Sequence, residues 1–158
     1  MIEWLGYMEH ASPDLLGVFA ANTGKGGCTI FGEMVGFQGV PWCTTFIFAV
    51  HPMREKLGKP CPGVLTLARR MALRGRWRGR RYKPKYGDLV FCRNKPKGRI
   101  EHCGIVLGTD GEDVISIDGN TVDPSGTFRP KQGGAVALRT RNKADPVIVG
   151  YGAIHERT

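Results

Sequence analysis

The chain has 158 residues, 41% of them hydrophobic, which is enough to bury a core without metal or disulfide support and excludes a disordered chain. Its net charge of +9 calls for an anionic partner and leaves open whether that is nucleic acid, a membrane surface or cell-wall polymer. The five cysteines, with no C-x-x-C spacing, exclude a fully paired disulfide framework and argue against a zinc site.

The start of the chain has no basic segment leading into an apolar run, and no stretch of about 18 apolar residues follows anywhere. A protein made in the cytoplasm without a signal peptide, and with no membrane span, is expected. Residues 2–9 have helical spacing, with Ile2, Leu5 and Met8 on one side. Ser12-Pro13-Asp14 reads as the start of a second helix carrying Leu15, Leu16, Val18 and Phe19. Residues 22–27 form a loop, residues 29–35 a short helix, and residues 36–41 a turn. Residues 42–50 (WCTTFIFAV) are nearly all apolar, so periodicity alone allows either a buried strand or a buried helix. Residues 64–73 predict a helix with Val64, Leu67, Ala68 and Met71 on one face.

After Gly75 the pattern changes. Short apolar runs at 88–92, 103–107, 114–117, 135–138 and 147–149, separated by Gly, Pro, Asn and Asp, predict antiparallel strands. Helices in front and strands behind predict an α+β fold in one domain, residues 1–158.

A thiol nucleophile is best placed at a helix start, where the dipole favours the thiolate. Of the cysteines, Cys43 alone follows a turn and opens a long apolar segment, and a small core residue is the competing reading. Among the four histidines, His102 immediately precedes a predicted strand, from which it can face a helix terminus packed over the sheet. A hairpin through Thr109–Asp113 would bring Asp118 or Asn120 beside it, either of which can orient an imidazole, although Asp118-Gly119-Asn120 also reads as a plain turn.

Four segments in order carry a family resemblance: Pro41-Trp42-Cys43 with Phe46, residues 86–91 (YGDLVF), residues 102–106 (HCGIV) and residues 117–121 (IDGNT). Together they resemble the CHAP family, the cysteine, histidine-dependent amidohydrolase/peptidases, which belong with the NlpC-type, papain-like cell-wall hydrolases. The closing residues 149–152 (VGYG) look like the last strand of phage and prophage lysin domains of this type. The resemblance implies a papain-like fold, N-terminal helices on a C-terminal antiparallel sheet, and hydrolysis of a peptidoglycan amide bond. It matches Cys43 to the nucleophile, His102 to the base, and Asp118 to a position where the family carries the longer Glu. It matches Asn120 to a polar neighbour of the site, Gln38 to an oxyanion donor, and Trp42 and Thr44 to substrate contacts. No metal and no organic cofactor is implied, and amidase and endopeptidase activity remain alternatives. Release to the wall at lysis is implied as for an endolysin; a secreted antibacterial effector amidase and a silent binding module are the other readings.

Residues 69–85 hold the densest basic run, interleaved with Trp77 and Tyr82. Attraction to anionic wall polymer is expected there in preference to nucleic acid, and a solvated loop is the plainest reading.

Overall fold

A computed structural model describes residues 1–19, 22–122, 124 and 134–155. Helix α1 (Ile30–Val35) is capped by Thr29, whose hydroxyl accepts the Gly32 N–H at 2.9 Å, and it ends at Gly36 with φ 82°. Helix α2 (Cys43–Val50) resolves the ambiguity of residues 42–50. Its residues from Cys43 to Phe48 are all buried, and a helix that is apolar all round is stable only when enclosed. Burial thus outweighs the β preference of its Thr, Ile and Phe residues. Thr45 returns its hydroxyl to the Trp42 carbonyl at 3.0 Å. Helix α3 (Val64–Leu73) has the expected ends and buries Val64, Leu67, Ala68 and Met71.

The strands β1 (Trp77–Arg78), β2 (Leu89–Arg93), β3 (Ile100–Asp110), β4 (Asp113–Thr121), β5 (Ala135–Asn142) and β6 (Ile148–Gly152) form one antiparallel sheet in the order β1-β6-β2-β3-β4-β5. The fold is α+β, with the helices on one face of the sheet. Leu89, Phe91, Cys103, Ile105 and Ile117 pack with α2 and α3, while Val90, Cys92, Val106, Val114, Ile148 and Tyr151 form a second cluster. Burial on both faces explains why the segments DLVFC and CGIVL read as continuous apolar runs. The pairing of β1 with β6 was not visible within the basic run. Asp88, fully buried, joins three segments: it accepts from Tyr82 Oη (3.0 Å), the Lys85 N–H (2.8 Å) and the Ile154 N–H (2.9 Å).

Two sequence expectations are corrected. Residues 2–9 form only a 3-10 turn, Ile2–Trp4. Gly6 then adopts φ 84°, and the chain runs along β5, with Gly6 N–H bonded to the Val136 carbonyl and Glu9 N–H to that of Gly134. The helix expected after Ser12 is replaced by bends and turns over residues 12–19. The Ser12 hydroxyl binds Asp14 and Asn22 instead of capping, and Leu15 sits at φ 54°. This irregular segment is held by Phe19, which packs on Trp4 (5.8 Å between centroids) and Tyr7 (5.4 Å), and by the Tyr7 hydroxyl, which donates to the Leu16 carbonyl at 3.0 Å.

Gly119 is where β4 comes closest to α2: a Cβ there would lie 2.6 Å from Phe46 Cβ and 3.0 Å from Trp42 Cζ3. Gly119→Ala is expected to cost about 1–3 kcal/mol and to lower the thermal midpoint by several degrees. Gly108→Ala, with open space around it, serves as the control and should leave the melt nearly unchanged. Equal melting of the two variants would show that the close approach is not a constraint.

Candidate active site

The site is assembled where the start of α2 meets β3 and β4. Cys43 is the first residue of α2, after Trp42 leaves helical geometry at φ −107° and ψ 16°, and no side chain caps this end. The first-turn N–H groups therefore keep their dipole and donor capacity for whatever lies beside the sulfur. His102 lies on β3 opposite Cys92 of β2. Its Nε2 is 2.8 Å from Asp118 Oδ2, which leaves Nδ1 for the Cys43 side.

Asp118 is fully buried and has three partners. Besides His102, Arg141 Nη2 donates to its Oδ2 at 2.6 Å and Ser116 Oγ to its Oδ1 at 2.7 Å. Arg141 Nη1 also reaches Ser116 Oγ, at 3.0 Å. Gly104 makes room for this cluster, because a Cβ there would overlap Asp118 Oδ1. Asp118 rather than Asn120 therefore holds the imidazole. Asn120, at φ 54°, lines the adjoining cavity.

The charges follow from these contacts. Burial alone would push the Asp118 carboxyl up, but His102 and Arg141 hold it well below the ordinary carboxylate range. Burial works against a charged His102, yet the bonds to Asp118 and Cys43 raise it to about 9. A hydrogen bond from the Cys103 thiol is the largest influence lowering Cys43; burial opposes it, and His102 adds to it, leaving Cys43 lowered to about 5. Burial pushes Cys92 up to about 11 and Cys103 upward as well. Of these three thiols, Cys43 is the one whose surroundings favour ionisation.

A cavity of about 610 Å³ adjoins the site, with His102, Asn120, Glu9 and Arg141 in its wall. His102 has 16% of its side chain exposed, whereas Cys43 is 2% exposed and not part of the wall. Reaching the sulfur requires a small displacement of the groups that cover it.

Three residues are engaged differently from the roles expected of them. Gln38 is tied to Thr29: its Oε1 accepts the Thr29 N–H at 2.9 Å and its Nε2 donates to the Thr29 carbonyl at 2.8 Å. Trp42 and Thr44 are fully buried. Trp42 instead anchors the start of α2, donating Nε1 to Glu9 Oε2 at 2.6 Å. Of the other histidines, His51 bonds the Gly87 carbonyl and the Met53 N–H, and His155 bonds the Tyr86 carbonyl. Sequence reasoning missed Glu9, Ser116, Cys103 and Arg141. Only Arg141 carried a signal, as the second of two arginines in alternation just beyond a strand drawn too short.

No protein-family model and no curated protein matches the chain. Among solved structures, it is similar to the crystal structure of a wild type endolysin, LysIME-EF1, at 21% identity and TM-score 0.33, over 46% of this chain and 33% of that one. The chain thus spans about a third of that endolysin's length.

Alkylation of Cys43 by iodoacetamide, followed by mass spectrometry of its peptide, should titrate near pH 5 in the native chain. Cys103→Ala removes the largest lowering influence, and the midpoint should rise by about one pH unit. An unchanged midpoint would show that Cys103 does not act on Cys43.

Proposed function

We propose that this chain is a cysteine-dependent amide hydrolase of CHAP type that acts on peptidoglycan as a phage or prophage endolysin does. The observation that carries the reading is the alignment of Cys43 at a helix start, His102 beside it, and Asp118 Oδ2 at 2.8 Å behind the imidazole. These are the nucleophile, base and orienting acceptor that acyl transfer through a thiol requires. The four segments in family order supply the wall substrate.

The Cys43 thiolate attacks the amide carbonyl. Protonated His102 gives its proton to the leaving amine as the C–N bond breaks. Water, deprotonated by His102, then attacks the thioester carbonyl, the C–S bond breaks, and the thiolate and imidazolium are restored. Asp118 keeps the ring oriented and its charge favourable throughout. With Gln38 engaged elsewhere, the N–H groups at the start of α2 are the oxyanion donors. The bond cut is either the amide to the glycan lactyl group or a peptide bond of the stem or cross-bridge.

Purified walls should lose turbidity with the native chain and not with Cys43→Ala, and the masses of the released fragments name the bond. Lysis that survives Cys43→Ala would refute the mechanism. Asp118→Asn should lower kcat on the order of 10²–10⁴-fold, and Asn120→Ala far less. Equal losses would remove the distinction between them. Activity requires the thiolate and the imidazolium together. It is therefore expected to fall below about pH 5, as Cys43 gains a proton, and above about pH 9, as His102 loses one. A profile that keeps rising past pH 9 would contradict the assigned pair.

The basic face supports an auxiliary role. Arg80, Arg81, Lys83 and Lys143 surround a second cavity of about 580 Å³ beside Tyr82. In this reading they hold the chain on anionic wall polymer, and wall association weakens as salt rises.

A further inference from the structure

The cavity beside His102 carries more positive charge than the reaction uses. Its wall includes Lys25, Arg93, Arg139 and Arg141, against one carboxylate among the described residues, that of Glu9. Arg141 is neutralised by Asp118. Glu9 is 6% exposed and bonded to the Trp42 indole. Arg93 and Arg139 are held differently. Nη1 of Arg93 donates to the Pro96 carbonyl at 2.7 Å, and Nη1 of Arg139 to the Val122 carbonyl at 2.8 Å. A backbone carbonyl orients a guanidinium without cancelling its charge. Among the described residues, no ion pair reaches Lys25, Arg93 or Arg139.

Position adds to charge. Arg93 ends β2, one residue after Cys92, the cross-strand partner of His102. Its guanidinium therefore stands on a rigid strand next to the reacting pair. Its Nε is buried without an acceptor, a state that a bound anion nearby would relieve. The cavity, about 610 Å³ in volume, has room for a carboxylate and the peptide units beside it.

We propose that this cavity is a subsite for a substrate carboxylate, in which Arg93, supported by Arg139 and Lys25, receives a free carboxylate of the peptide close to the amide that Cys43 attacks. The inference rests on the hydrolase reading and adds its substrate class: acidic stems, in preference to stems with the same carboxyl amidated. Arg suits this task because its planar fork matches a carboxylate, while a carboxamide offers neither the charge nor two acceptors.

The test uses the full chain carrying Cys43→Ala, which binds without turnover. Calorimetry compares two wall stem peptides that are identical except for one carboxylate replaced by carboxamide. The acidic peptide should bind about 10–100-fold more tightly. Adding Arg93→Gln should bring the two affinities close to parity, and Arg93→Lys should keep part of the difference, with thermal melts confirming that both variants fold. Equal affinity for the two peptides, no binding of either at millimolar concentration, or a preference untouched by both Arg93→Gln and Arg139→Gln would overturn the subsite. Native cleavage of walls separates the two levels. Cleavage without carboxylate preference removes the subsite and leaves the hydrolase. Carboxylate preference without cleavage removes the hydrolase and leaves the subsite.

Discussion

A carboxylate with no exposed surface stays ionised only when its charge is met at hydrogen-bonding distance. Asp118 is in that position, and its partners come from three neighbouring strands: His102 on β3, Ser116 on its own β4 and Arg141 on β5. The same contacts that keep the charge tolerable also hold the register of those strands. They also raise His102, and a charged His102 in turn lowers Cys43. The Cys103 thiol lowers Cys43 most, so protonation at the sulfur is set by this neighbour and, through His102, from two side chains away. The arrangement depends on an absence, because any side chain at position 104 would occupy the space of the carboxylate.

The second constraint is steric. Helix α2 is almost wholly enclosed, so its first residue can sit beside β3 and β4 only if the sheet lets the helix approach. Gly119 allows that approach against Phe46 and Trp42, and Glu9 fixes the Trp42 ring from the other side. Cys43 is consequently positioned by packing and by one buried indole bond, with no side-chain cap. The enclosure that fixes Cys43 also covers it, so that His102 meets the cavity more openly than the sulfur does.

Positive charge is divided between two environments. Around the cavity, guanidinium groups are oriented by backbone carbonyls on strands next to the reacting pair. On the far basic run, arginines and lysines stand in solvent, where salt screens them. Enclosed and oriented charge discriminates between ligands; exposed charge mainly raises encounter rates.

Much was legible in the residues alone, because local pattern dictates it. The apolar face of α3, the short helix near residues 29–35 with a turn after it, and the positions of β2 to β6 along the chain all follow from periodicity and turn chemistry. The hairpin argument placed Asp118 near His102, and β3 and β4 do pair in that way. Other features depended on tertiary contact. Residues 42–50 became a helix because they are enclosed, and residues 2–9 did not because their backbone bonds to β5. The choice of Asp118 over Asn120 came from strand register and from the room left at Gly104. Glu9 and Arg141 entered the site from segments outside the sequence motifs, and Cys103 stood inside one without a role assigned to it. A sequence records each residue's own tendencies, whereas the neutralisation of a buried charge depends on His102, Ser116 and Arg141, groups on three strands that only the packed sheet brings together.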